Sequence, residues 1–287
     1  MKNMPTYKQL DEMMESDFCL FVFILTDMQG ILEDDQKTVE KQLYSDELAV
    51  LADTNAQIVE MLQDKEFFFG KSEEELIISM FERLPEKNRD SVSFAMDTFV
   101  KLIQANLEKT KGKHRKKQED LLARCLYITE LLYLLFNQID SDTPYREAFS
   151  IGLDAAEEML DTDLWKEDNE ELWGKDCAEN RRAFIKGLRD KLEQADKEEA
   201  LEKTLCGILD GLGTDDRNYI CCEVMDYAEL DTLDKLDEMR GEYGGTEVDL
   251  SAYMNRAAAA KQMARNLRKK YAPPADNSDT EDTDTEE

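Results

Sequence analysis

The sequence predicts an all-α fold, a multi-helix bundle of about ten helices, on three observations. Apolar residues recur every three or four positions along nearly the whole chain, which is the period of an amphipathic helix. Only 5 prolines and 12 glycines interrupt 287 residues, too few for a many-turned β-sandwich. No two segments alternate apolar and polar residues as paired strands do. We therefore expect helices to account for most of the chain.

The first part of the chain contains well-marked helix boundaries. Residues 18–25 are an uninterrupted apolar run, which is consistent with a short buried helix or with a strand. Ser72 followed three positions later by Glu75 has the form of a capping box, and Pro85 ends the helix that this box begins. A further apolar stripe continues to Leu107. We expect these segments to form a helical lobe.

The second part of the chain begins with its most apolar helix, predicted at about 118–139. Apolar residues cover most of its circumference, which is typical of a helix surrounded by others. Thr143 and Pro144 then resemble a cap followed by proline at the first helical position. The remaining helices are predicted at about 163–173, 180–194, 197–210, 216–228, 231–241 and 247–271.

Charge and apolar content divide the chain into four predicted parts. Residues 1–108 form an N-terminal helical lobe, 109–117 a basic interhelical loop, and 118–272 an acidic helical lobe that either stands alone or joins the first in one domain. Residues 273–287 contain seven acids, no base and no apolar side chain larger than alanine. Such a segment buries too little surface to offset its ordering entropy, so we expect a disordered acidic tail.

The overall charge indicates which partners to expect. The 66 acidic residues outnumber the 36 basic ones and leave a formal net charge of −30. This charge repels phosphate backbones and anionic lipid, so nucleic acid is expected only at local basic patches. The longest apolar run, 18–25, is far shorter than the ~20 residues of a membrane span, and acids precede it where a secretory signal carries bases. We expect a cytoplasmic protein with no membrane partner.

The acidic surplus is largest in the second half. Residues 151–250 hold 30 acids and 12 bases, so one face of the helical lobe should be strongly anionic. A dense carboxylate surface can occupy a cationic groove by counterion release, much as phosphates do. The leading hypothesis is a non-enzymatic binding or regulatory protein whose anionic helix face engages a basic partner protein. The alternative that the charge serves solubility alone stays open.

Two basic segments stand out against this background. The first is the predicted loop, which could bind phosphate, nucleic acid or an acidic partner, or could simply be a solvated connection. Its candidate binding residues are Lys113, Arg115, Lys116 and Lys117. The second is the final helix, whose basic residues are predicted to dock on an acidic surface, either the chain's own 151–250 or a partner's, with the acidic tail as competitor. Its candidate residues are Arg256, Lys261, Arg265 and Lys269.

An enzymatic alternative depends on four carboxylates. Glu199 and Glu202 are predicted on one helix, and Glu223 and Asp226 on the next, each pair three positions apart and therefore on one helix face. If the Gly-rich turn at 211–214 folds the helices antiparallel, the four carboxylates can hold Mg²⁺ through oxygen ligands.

This spacing is similar to the ExxE…ExxD pattern of the all-α MazG and dimeric dUTPase family of NTP pyrophosphohydrolases. The resemblance covers about 28 positions of the chain and implies a Mg²⁺-dependent cleavage of nucleoside triphosphates. Other common catalytic motifs are absent from the sequence, which has one histidine, His114. Solvated helix faces explain the same four residues without any catalysis.

Overall fold

The computed structural model describes residues 16–38, 45–163, 165–166, 169, 174–195, 199–242 and 250–271. Every regular element within these ranges is helical, which confirms the all-α bundle. The predicted acidic tail at 273–287 and most of the predicted helix at 163–173 lie outside the described residues. The chain divides into two compact units, 1–133 and 134–287, so the division falls beyond the basic segment at 109–117.

The first unit contains helices joined by short connections. They are α1 (Asp17–Thr38), α2 (Ser45–Gln63), α3 (Lys65–Phe68), α4 (Glu73–Arg83), α5 (Glu86–Leu107) and α6 (Lys113–Phe136), whose last residues belong to the second unit. The apolar run at 18–25 is part of α1, so it forms a helix and not a strand. The buried side chains of α1 pack against α2, α4 and α5.

The boundary between α4 and α5 follows the sequence signals closely. The Ser72 hydroxyl accepts a hydrogen bond from the Glu75 backbone N–H at 3.2 Å, and the Glu75 carboxylate accepts one from the Ser72 N–H at 2.9 Å. This reciprocal pair is the predicted capping box. Helix α4 ends at Arg83, before Pro85. The Arg89 guanidinium then donates hydrogen bonds to three backbone carbonyl groups at that end of the helix.

Helix α6 differs from its prediction at two points. It begins at Lys113, so the basic cluster lies in its first turns and not in a loop; the connection from α5 is only residues 108–112. A glycine at 112 with φ of 66° makes this short turn possible. The helix is also not buried on all sides, since Leu126 and Tyr127 are 45% and 47% exposed. The apolar residues around this helix therefore led to a prediction of more burial than the structure shows.

After the end of α6, the described part of the second unit contains α7 (Thr143–Met159), α8 (Cys177–Gln194), α9 (Leu201–Asp210), α10 (Thr214–Asn218), a π-helical segment (Tyr219–Val224), α11 (Met225–Glu242) and α12 (Ser251–Tyr271). The predicted helices at 216–228 and 231–241 are one continuous helical stretch that includes the π-helical turn. None of the helices in the described ranges has the length and apolar content to cross a membrane.

In the core of the second unit, the backbones of neighbouring helices lie unusually close together. Helices α7, α11 and α12 pack against one another, and α12 contributes a run of buried alanines, 257–260. A Cβ atom built at Gly152 of α7 would lie 2.5 Å from the Val224 carbonyl oxygen and 2.8 Å from the Ala228 Cβ. Only glycine lets α7 lie this near to the π-helical segment and α11.

Candidate functional site

The structure does not place the first predicted carboxylate pair on one helix. Glu199 precedes α9, which begins at Leu201, whereas the prediction began this helix at 197. The Glu199 carboxylate forms an ion pair with Lys203 at 2.6 Å. Glu202, in the first turn of α9, accepts a hydrogen bond from the Asn266 side-chain amide at 3.3 Å. The prediction that both acids share a helix face is therefore wrong.

The second carboxylate pair is divided between two environments. Asp226 forms an ion pair with Arg268 of α12 at 2.6 Å. Glu223, in the π-helical segment, lines a cavity instead. Within the described ranges, no three or more side chains of His, Cys, Asp or Glu are grouped so that they could hold a metal ion. The four predicted Mg²⁺ ligands, Glu199, Glu202, Glu223 and Asp226, thus do not form one metal-binding group here.

The final helix docks on the chain's own acidic residues. Arg268 contacts Asp226, Glu229 at 3.4 Å, and the Cys221 carbonyl oxygen at 3.1 Å. Arg256 forms an ion pair with Glu147 of α7 at 2.9 Å. Arg268 thus contacts acids of the 151–250 segment, whereas Arg256 forms its ion pair with an acid that precedes this segment. The other candidate binding residues of this helix differ in exposure: Lys261 and Arg265 are half-buried and Lys269 is exposed.

The basic cluster at the start of α6 remains mostly at the surface. Lys113, Arg115 and Lys116 are exposed, and Lys117 is half-buried. Arg115 forms an ion pair with Glu119 one turn further along the helix, at 2.8 Å. The four candidate residues therefore lie in the first turns of α6 and not in the interhelical loop that the sequence predicted at 109–117.

Most arginines of the second unit are paired internally. Each lies within ion-pair distance of a carboxylate of the same unit: Arg146 with Asp142, Arg181 with Asp216, Arg182 with Asp161, Arg189 with Asp154, Arg240 with Asp237, Arg256 with Glu147, and Arg268 with Asp226. Because acids greatly outnumber bases here, carboxylates remain that these arginines do not neutralise.

Three such carboxylates lie near one another where α7 approaches α11. Glu158, Asp231 and Asp234 are all exposed, and we call them the anionic patch. Partial burial, and then the charges of Asp234 and Glu158, raise the pKa of Asp231 above its ordinary value. Among the described residues no basic side chain forms an ion pair with any of the three. The patch is a place where negative charge is concentrated and uncompensated.

A cavity of about 610 Å³ lies beside the π-helical segment. We call it the π-segment cavity. Its wall combines aromatic rings, carboxylates and amides from α8, α10 and the π-helical segment, together with residues that follow α7. The lining residues are Trp165, Asn169, Cys177, Asn180, Arg181, Phe184, Gly213, Thr214, Asp215, Asp216, Asn218, Tyr219, Cys222 and Glu223. Single π-helical turns within α-helices are frequent at functional sites.

Tyr219 carries an unsatisfied hydroxyl at this cavity. The residue is only 3% exposed, and its hydroxyl oxygen has no hydrogen-bond partner among the described residues. The ring packs edge-on to Phe184, and the Arg181 guanidinium lies over it, 4.4 Å from the ring centre. Burial raises the pKa of Tyr219, so the phenol stays protonated. A buried hydroxyl without a partner is uncommon in folded proteins.

Glu223 is the second unusual group of the π-segment cavity. Burial raises the pKa of its carboxyl group above the ordinary value of 4.5, and the neighbouring charge of Asp226 raises it further. Arg181 and a hydrogen bond from Trp165 partly offset these effects. Arg181 itself forms its ion pair with Asp216, at 2.7 Å, and not with Glu223. The Glu223 carboxylate thus lines the cavity without an ion pair to any described cation.

Glu223→Gln is expected to increase the free energy of unfolding at neutral pH, because glutamine keeps an oxygen acceptor and removes a desolvated charge. The raised pKa means that ionised Glu223 destabilises the folded state above its folded-state pKa. This penalty disappears as the pH falls towards 4.5. Thermal unfolding of both proteins should show an advantage for the variant at pH 7 that shrinks on acidification. A less stable variant at pH 7 would contradict this account.

Sequence reasoning found only part of this site. It singled out Glu223, for a magnesium site, and the Gly-rich turn at 211–214 that leads into the cavity wall. It missed Tyr219 and Arg181, although Tyr219 and Glu223 are four positions apart, which is helical spacing. Comparison with known proteins adds no identification, since no protein-family model, curated protein or solved structure matches the chain.

Proposed function

We propose that the chain is a binding or regulatory protein whose second unit engages a basic partner protein through the anionic patch. The observation that carries this proposal is the concentration of Glu158, Asp231 and Asp234 at one place without a paired cation. The arginines of the same unit that form ion pairs are held by other carboxylates. A basic partner protein can supply the cations that the anionic patch lacks.

A basic partner suits this surface for two physical reasons. Like charges held close together repel one another, and an arriving cation relieves that repulsion as well as forming its own contacts. The guanidinium group of arginine also presents a planar set of donors that matches carboxylate geometry. The surrounding negative field then increases the rate at which basic surfaces reach the patch. Partner affinity should consequently fall steeply with salt.

The test neutralises the patch in the full-length chain. In the variant Glu158→Gln, Asp231→Asn, Asp234→Asn, we expect a fluorescent oligo-arginine peptide to bind about tenfold more weakly at low salt. Exposed ion pairs contribute about 0.5 kcal/mol each, and three together correspond to about one order of magnitude in affinity. Fluorescence anisotropy measures the dissociation constant directly. The difference between the proteins should disappear as salt approaches about 0.3 M.

A matched control separates the patch from the net charge. The variant Glu60→Gln, Asp97→Asn, Asp120→Asn removes the same number of charges from exposed positions of the first unit. It should bind the peptide with nearly the affinity of the unmodified protein. Equal weakening in both triple variants would show that the peptide responds only to the overall charge, and the proposal would then be wrong.

A further inference from the structure

We propose that the π-segment cavity is a binding site for a small organic cation, one that carries an ammonium or guanidinium group with N–H donors on an apolar or aromatic body. This inference goes beyond the binding of a basic protein and does not depend on it. It concerns a different part of the second unit, where a cavity is lined by a buried hydroxyl without a hydrogen-bond partner among the described residues and by a carboxylate that forms no ion pair with a described residue.

The size and wall of the cavity fit a small molecule. A volume of about 610 Å³ lies within the range of ~300–1,000 Å³ that is typical of ligand pockets. Trp165 and Phe184 provide flat apolar surface, while Asn180 and Asn218 provide neutral hydrogen-bonding groups. The apolar surface can remove the body of a ligand from water, and the polar groups of the wall can orient it.

The charge of the wall selects a cation. The described residues of the wall include three carboxylates, those of Asp215, Asp216 and Glu223, and one guanidinium, that of Arg181. Arg181 is held by Asp216 and lies over the Tyr219 ring, so its charge is already engaged. An anionic ligand would meet these carboxylates, of which Arg181 forms an ion pair with Asp216 and acts on Glu223 only from a longer distance. A cation would instead form an ion pair with Glu223 in a partly desolvated site, where such pairs are stronger than at the surface.

The Tyr219 hydroxyl specifies the kind of cation. Its oxygen is buried and can accept a hydrogen bond, but no described residue donates one. A ligand N–H that points to both Tyr219 and Glu223 would satisfy the phenol oxygen and the carboxylate together. A quaternary ammonium group has no N–H and would leave the hydroxyl oxygen without a donor. We therefore expect primary amines and guanidines to be preferred over their fully methylated analogues.

The experiment is isothermal titration calorimetry on the full chain with 2-phenylethylamine, tryptamine, agmatine and spermidine. At least one should bind with a dissociation constant below about 1 mM. For 2-phenylethylamine, three analogues test the chemistry: 2-phenylethanol removes the charge, phenylacetate reverses it, and the trimethylammonium analogue removes the N–H donors. For any probe that binds, its neutral, anionic and trimethylated counterparts should each bind at least tenfold more weakly.

Two variants connect the binding to the named groups. Glu223→Gln should weaken binding at least tenfold. Tyr219→Phe should weaken binding several-fold. It should not lower the melting temperature of the ligand-free protein, because the deleted hydroxyl has no hydrogen-bond partner among the described residues. The control Asp190→Asn, at an exposed position of α8 outside the cavity wall, should bind normally.

Four results would overturn the inference. They are no binding by any of the four amines at millimolar concentration, binding of phenylacetate at least as tight as that of the amine, unchanged affinity in Glu223→Gln, and a marked loss of thermal stability in Tyr219→Phe. The last result would show that the hydroxyl already has a structural partner and is not available to a ligand.

Discussion

Gly152→Ala is expected to lower the free energy of unfolding by about 2 kcal/mol. The added methyl group would lie 2.5 Å from the Val224 carbonyl oxygen and 2.8 Å from the Ala228 Cβ, distances that real Cβ atoms essentially never show. Neither neighbour is the flexible end of a long side chain, so α7 would have to move away from α11. Alanine gains up to about 1 kcal/mol over glycine in helix propensity, but this gain is smaller than the packing penalty.

Gly187→Ala is the matched control for this prediction. Gly187 also lies within a helix, α8, but a Cβ built there meets nothing within 4 Å. The same substitution should therefore stabilise the protein by about 0.5–1 kcal/mol through helix propensity alone. Urea unfolding followed by circular dichroism measures both changes. If the two variants shifted in the same direction, close packing at Gly152 would be excluded as the reason for its glycine.

Arg89→Met is expected to cost about 2–3 kcal/mol of stability in the first unit. The Arg89 guanidinium donates to the Phe81, Glu82 and Leu84 carbonyl oxygens at 3.1, 2.8 and 2.9 Å. These groups lie at the C-terminal end of α4, where the last carbonyls lack the N–H of a following helical turn. Methionine keeps much of the apolar stem but removes the charged donors, so the three carbonyl groups lose the hydrogen bonds that Arg89 donates; the Phe81 carbonyl keeps one from the Leu84 backbone N–H.

Arg89→Lys tests the geometry of this contact. A lysine ammonium keeps the charge but lacks the planar set of donors that reaches three carbonyls at once, so less than half of the loss should be recovered. Lys101→Met removes a charge of the same sign from an exposed position of α5 and should change stability by less than about 0.5 kcal/mol. Denaturant unfolding of the three variants gives the comparison. Full recovery with lysine would indicate that charge alone stabilises this end of α4.

Local signals explain why much of the fold was predictable. The Ser72–Glu75 capping box and the stop before Pro85 depend on residues within one turn of each other, and the structure contains both. Errors occurred where more distant packing intervened. The basic cluster at 113–117 was assigned to a loop, because its charge conceals the helix that it begins. The helix predicted at 118–139 was expected to be surrounded by others, but its Leu126 is 45% exposed in the described part of the chain.

The candidate sites show the same limit more clearly. The sequence displayed an excess of acids, but it did not distinguish Asp226, which Arg268 neutralises, from Asp231, which has no such partner. It also associated Glu223 with Glu199, although these carboxylates have different neighbours. The partner of a charge comes from another helix, and helix order along the chain does not specify which side chains meet.

The amino-acid sequence by itself determined the helical class, the capping signals and the acidic character of the second unit, because periodicity, caps and composition act over a few residues. Tertiary structure decided that the final helix binds its own acids, that Glu158, Asp231 and Asp234 remain uncompensated, and that Tyr219 and Glu223 share one cavity. These properties depend on burial and on distances between helices. Both arise only when separate segments pack together.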